Sequence, residues 1–162
     1  MLSKIVELKD LVQILNAARV SGQCIVFTNG CFDIIHAGHL RYLSAARSEG
    51  DVLVVGLNSD TSVRLIKPEN RPIVPQDQRA EVLAGLECVD YVIIFDEPDP
   101  LALIMALKPD VLVKGADWKE SEIIGADFVK ACGGRVVRVD LVPDISTSQI
   151  IQRIVKRFAT SQ

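Results

Sequence analysis

Short apolar runs alternate with helix-spaced segments along the chain, and that alternation constrains the fold more than any other feature. Residues 24–27, 51–57, 91–95 and 110–113 are nearly unbroken apolar stretches, and 135–139 adds Val136, Val137 and Val139. A strand covered on both faces reads as such a run, whereas a strand with one wet face alternates. Between the runs, residues 5–20 place Leu8, Leu11, Val12, Leu15 and Ala18 at three- and four-residue steps and stop near Gly22. Helical spacing resumes at Leu40, Leu43 and Ala46 until Gly50, over 76–87, over Leu101–Leu107, in a segment ending at Gly133 and Gly134, and over 146–158. Residues 58–75 read as a polar loop. Strands and helices taking turns in this way predict an α/β fold, one parallel sheet with helices on both faces. The expected organisation is an N-terminal helix over 1–22 leading into a single domain over 23–162.

Length and charge remove several function classes. The 162 residues suffice for one sizeable core, and the apolar run Leu101–Leu107 falls far short of the roughly 20 residues a bilayer span needs. Eighteen Lys and Arg against 21 Asp and Glu give a net charge of −3, with no block of like charge that would suit nucleic acid. The four cysteines form no CxxC pair and only two histidines accompany them, so neither a zinc knot nor a disulfide framework is indicated. Lys4, Glu7, Lys9 and Asp10 argue against a secretion signal, and a cytosolic protein is expected.

In parallel sheets of this kind, ligands bind beyond the carboxyl ends of the strands, which directs attention to 28–39, 58–60, 114–118 and 143–148. The first of these holds both histidines, in Gly30-Cys-Phe-Asp-Ile-Ile-His36-Ala-Gly38-His39. At i and i+3 on a helix start, the two rings project to one side, Gly38 lets a ligand approach the backbone, and the free N–H groups suit a phosphate. Two other readings stay open: a metal pair with Asp33 as third ligand, and histidines that merely cap and pack. Ser146-Thr147-Ser148-Gln149 fits a capping box ahead of the terminal helix and gathers three hydroxyls beside free amides. Arg71 and Arg79 are candidates to hold a phosphate, since a guanidinium fork suits its oxygens. No phosphate-binding G-x-x-x-x-G-K-[ST], no G-x-G-x-x-G and no G-x-S-x-G is present.

These residues resemble the HxGH nucleotidyltransferases, which include cytidylyltransferases and sugar-phosphate adenylyltransferases. The segments 27–33, 36–39, 58–60, 71–72, 78–79 and 113–118 are similar to those of the heptose 1-phosphate adenylyltransferase branch. The resemblance implies a single Rossmann-like domain that transfers AMP from ATP to D-glycero-β-D-manno-heptose 1-phosphate, with Mg²⁺, giving ADP-heptose for lipopolysaccharide synthesis. It implies that His36, His39 and Lys67 act on the nucleotide phosphates. Cys31, Phe32, Gly38, Gly115, Asp117, Ser146, Thr147 and Ser148 would bind the nucleotide, and Asp33, Arg71 and Arg79 the sugar phosphate. Ala116 and Trp118 stand where the family often has Gly and Tyr. In many bacteria this activity is the C-terminal half of a protein fused to a sugar kinase; the length here leads to the expectation of the stand-alone form, as a dimer or larger homo-oligomer. A cytidylyltransferase acting on glycerol 3-phosphate or a similar polyol phosphate, and a non-catalytic nucleotide-binding module, are the alternatives.

Overall fold

The computed structural model describes residues 2–68 and 70–159. Five strands, β1 (Ile25–Gly30), β2 (Val52–Asn58), β3 (Tyr91–Phe95), β4 (Val111–Gly115) and β5 (Arg135–Val139), form one parallel sheet in the order β3-β2-β1-β4-β5. The helices are α1 (Leu8–Val20), α2 (Ala37–Arg47), α3 (Asp60–Ile66), α4 (Gln76–Ala84), α5 (Leu101–Leu107), α6 (Ala126–Ala131) and α7 (Thr147–Phe158). None is long and apolar enough to cross a membrane.

Alternate residues of each strand feed two separate cores. Ile25 and Phe27 of β1, Val52 and Val54 of β2 and Leu112 of β4 pack with Leu11 and Leu15 of α1, Ile104 and Leu107 of α5 and Val129 of α6. Val26, Leu53, Val55, Val111 and Val113 point the other way, onto Leu43 and Ala46 of α2 and Ala80 and Leu83 of α4. Because both faces are covered, the inner strands are apolar over most of their length, with polar residues at the carboxyl ends of β1, β2 and β4 and on the edge strand β5. The N-terminal segment belongs to the same unit: Val6 N–H donates to the Val92 carbonyl at 3.0 Å, and Lys4 Nζ donates to the Val89 carbonyl at 2.6 Å.

Aspartates set the register at the amino edge of the sheet. Asp51, Asp90 and Asp110 each immediately precede a strand, and each carboxylate accepts the N–H at the start of a neighbouring strand: Cys24 at 2.8 Å, Leu53 at 2.7 Å and Ile25 at 2.8 Å. A lone N–H beside a buried strand end is costly, so each aspartate both satisfies a donor and selects one register.

Two expectations change. β1 runs three residues beyond 24–27, because Thr28, Asn29 and Gly30 pair in parallel register with Val55, Gly56 and Leu57. Polar Thr28 and Asn29 do not look like strand, but neighbours on the sheet supply their hydrogen bonds. The 58–75 loop contains α3, whose first turn is capped by Ser59 Oγ accepting Ser62 N–H. A Ser-x-x-Ser cap on so short a helix carries little periodic signal. Replacing Asp110 by Ala leaves the Ile25 N–H without its partner and is expected to lower unfolding free energy by about 1–3 kcal/mol in urea titration; an unchanged midpoint would refute the role given to it.

Candidate active site at the carboxyl edge of the sheet

The chain leaves β1 through Cys31 and Phe32 and enters α2 at His36, which is the N-cap in extended backbone with φ −142° and ψ 172°. Phe32 takes a left-handed φ of 44°. For a bulky residue this conformation costs about 1–3 kcal/mol, and packing must hold it. Its buried ring lies on Gly30, where a Cβ would come within 3.0 Å, and meets His39 edge-on with centroids 5.3 Å apart. His36 folds over its own helix start and stacks on His39 at 3.8 Å and 21°. Gly38 makes this possible, since a Cβ there would sit 2.9 Å from His36 Nδ1. The glycine thus frees space for a histidine ring, in addition to lining the cavity as expected.

Two adjoining cavities open at this edge, of about 560 and 290 Å³. Lys67, Asp33, Arg71 and Ser148 line the larger. His36, Gly38, Gly115 and Asp117 line the smaller. Cys31, Phe32, His39, Ser146 and Thr147 lie on the wall common to both. Ser146 caps α7 by accepting the Gln149 N–H at 3.2 Å, and Thr147 Oγ1 donates to the Ile34 carbonyl at 3.3 Å, which ties the start of α7 to the loop before α2. Two helix N-termini therefore face one space, a setting that favours anions. Asn29 and Lys114 also lie on the common wall; both fall in the segments 28–39 and 114–118 expected at the ligand-binding edge, although no role was expected of either.

Arg79 is placed elsewhere and corrects its expected role. Taken as a phosphate-binding group, it is instead 1% exposed. Its Nε donates to the Val74 carbonyl, Nη1 to those of Cys31 and Asn58, and Nη2 to Asp60 Oδ1. A guanidinium with four of its five N–H groups engaged and almost no exposed surface braces these loops and is turned away from the cavities. Asp33 is likewise a clamp: its buried carboxylate accepts the N–H groups of Ile73 and Val74 and Arg71 Nε at 2.5 Å. Its oxygens are taken up by Arg71 and two backbone N–H groups and are not free to serve as the third ligand of a metal pair. Ala116 is not among the positive-φ residues, so glycine is unnecessary there. At Gly115 a Cβ would collide with the Asp117 carboxylate, which explains that glycine.

The electrostatics of the site suit an anion. Burial pushes the His39 imidazole down to about 4, with His36 adding to the effect, and burial also lowers His36. The Nδ1 atoms of both rings are buried without a hydrogen-bond partner. Burial raises the Cys31 thiol against the opposing pull of Lys67, Arg79 and Arg71. Burial alone would raise Asp33, but hydrogen bonds from Val74, Ile73 and Arg71 hold it below its ordinary value.

Comparison with known proteins agrees with this geometry. Residues 27–153 match the model of the family described as Cytidylyltransferase-like. The chain is 49% identical over 156 residues to "Bifunctional protein HldE" of Syntrophotalea carbinolica, covering 96% of this chain and 32% of that protein. It is 51% identical over 156 residues to the protein of the same name from Geobacter metallireducens, with coverage of 96% and 32%. The chain thus spans about a third of the length of the curated relatives it matches. Among solved structures, a lipopolysaccharide core biosynthesis protein from Thermoplasma volcanium superposes with a TM-score of 0.62 at 30% identity, over 75% of this chain and 98% of that one. A pantoate-beta-alanine ligase from Francisella tularensis shares the fold at 18% identity, with a TM-score of 0.62 over 98% of this chain and 79% of its own. A family match reaching from the end of β1 into α7, on a sheet that brings both segments to one cavity, places this chain in the cytidylyltransferase-like family.

Proposed function

We propose that this chain transfers AMP from ATP to a sugar 1-phosphate, D-glycero-β-D-manno-heptose 1-phosphate, with release of pyrophosphate. The observation that carries the reading is the stacked His36–His39 pair, its Nδ1 atoms unsatisfied, at the mouth of α2 and opposite the start of α7. The names of the relatives add support for the substrate class: one is a lipopolysaccharide core biosynthesis protein, and the HldE proteins are called bifunctional while this chain corresponds to a third of them.

The acceptor phosphate is anionic at neutral pH, so its oxygen attacks the α-phosphorus of ATP without a general base. A new P–O bond forms to the acceptor, the bond between the α-phosphorus and the bridging oxygen breaks, and that oxygen leaves with pyrophosphate. Catalysis then consists of positioning and charge neutralisation. In this scheme Asp117 and Gly115 face the nucleoside in the smaller cavity, and Ser146, Thr147 and Ser148 offer hydroxyls and helix-start amides to its phosphates. Arg71, aimed by Asp33, and Lys67 meet the sugar phosphate and departing pyrophosphate in the larger. No group of three or more His, Cys, Asp or Glu suited to a metal occurs among the described residues. Mg²⁺ brought in with the ATP substrate would add to the charge neutralisation that Lys67 and Arg71 supply around the phosphates.

Histidines held neutral by burial should gain a proton when a polyphosphate reaches them, because the anion favours the charged imidazole. Calorimetric titration of ATP at pH 7 in buffers of different ionisation heat is expected to show net proton uptake, with affinity rising as pH falls from 8 to 6. No uptake would exclude the histidines from the phosphate site. His39→Ala is expected to keep the wild-type melting temperature and to lose on the order of 100-fold or more in kcat for pyrophosphate release; near-wild-type turnover would remove the pair from the mechanism. Pyrophosphate release measured with ATP and CTP against heptose 1-phosphate and glycerol 3-phosphate discriminates the acceptor and the base. Release with CTP and glycerol 3-phosphate alone would establish the cytidylyltransferase alternative, and ATP binding with no turnover the non-catalytic one.

A further inference from the structure

Lys114, one residue before the end of β4, is the sole Lys or Arg among the described residues that line both cavities. Lys67 and Arg71 border only the larger one. The Lys114 ammonium enters no salt bridge and no side-chain hydrogen bond with the described residues, and it lies over the Trp118 ring with Nζ 5.9 Å from the centroid. Burial pushes its pKa down to about 8, against the opposing influence of Cys31 and Asp117. A cation withdrawn from water without a bonded counter-ion is costly, and an anion in contact with it removes that cost.

A phosphorus handed from an occupant of one cavity to an occupant of the other must lie where the two meet. His39 and the hydroxyls of Ser146 and Thr147 stand there too, but His39 gains its charge only when a polyphosphate binds, whereas Lys114 is the lysine or arginine already there among the described residues. We propose that Lys114 is a catalytic residue that binds the non-bridging oxygens of the α-phosphoryl group during its transfer. The assignment rests on the adenylyl-transfer reading above. As the acceptor oxygen bonds to the α-phosphorus and the bridging oxygen departs with pyrophosphate, negative charge shifts over the phosphoryl oxygens, and the ammonium offsets it from one position. The sequence places Lys114 in the ligand-facing segment 114–118, but only the structure shows that it lines both cavities.

Steady-state kinetics of Lys114→Gln and Lys114→Arg test the assignment. Lys114→Gln is expected to lose on the order of 100-fold in kcat, with KM for ATP and for the sugar phosphate within a few-fold of wild type. Lys114→Arg, which keeps the charge, is expected to recover part of the loss. A kcat within a few-fold of wild type in Lys114→Gln, or a loss confined to KM, overturns the proposal while leaving adenylyl transfer intact. A second arm needs no turnover: binding of inorganic tripolyphosphate by calorimetry should weaken about tenfold in Lys114→Gln. If wild type releases no pyrophosphate with any donor and acceptor, unchanged tripolyphosphate affinity in the variant overturns the phosphate contact as well. A wild-type chain that neither turns over nor binds tripolyphosphate overturns both readings. Equal melting temperatures in wild type and both variants separate these effects from misfolding.

Discussion

Parallel pairing of strands that are dry on both faces is the constraint from which the other features follow. Parallel order makes all five carboxyl ends emerge on one side of the sheet, and the covering helices must then begin there. Backbone N–H groups at the starts of α2 and α7 have no partners within their own helices, and they gather around the same space. The opposite edge does the complementary work: Asp51, Asp90 and Asp110 lock strand starts to their neighbours, so that the active edge inherits a single register. A slip of one residue in β1 would exchange Phe27 and Val26 between the two cores and carry the loop holding the histidines with it.

Around the cavities, charge is divided between groups that are consumed and groups that are held in reserve. Arg79 and Asp33 are fully engaged, one joining the carbonyls of Cys31, Asn58 and Val74, the other holding Ile73, Val74 and Arg71. They brace the loops around the cavities. His36, His39 and Lys114 are the opposite case, polar groups drawn out of water with little or nothing bonded to them. Burying such groups opposes folding, and a polyanion in the cavity would return what they lack. This division explains why two residues of similar appearance in the chain, Arg71 and Arg79, have different fates: one guanidinium is 14% exposed at the cavity and the other is wholly enclosed.

Much of this protein is legible in the order of its residues. Continuous apolar runs separated by helical spacing determine a parallel α/β sheet, because only strands covered on both faces need apolar side chains at every position. The segment 30–39 likewise determines that two imidazoles and a glycine meet at a helix start, since a three-residue step on a helix leaves little freedom. Tertiary structure alone decided that Thr28 to Gly30 would join β1, for their hydrogen bonds come from β2, 27 residues away in the register pairs. It also decided that α3 would form in a segment with little periodic signal, that Arg79 would vanish into the interior, and that Lys114 would line both cavities together with His39. The physical reason is common to all four: the outcome depends on what lies across space, and a pattern along the chain reports only what is near in sequence.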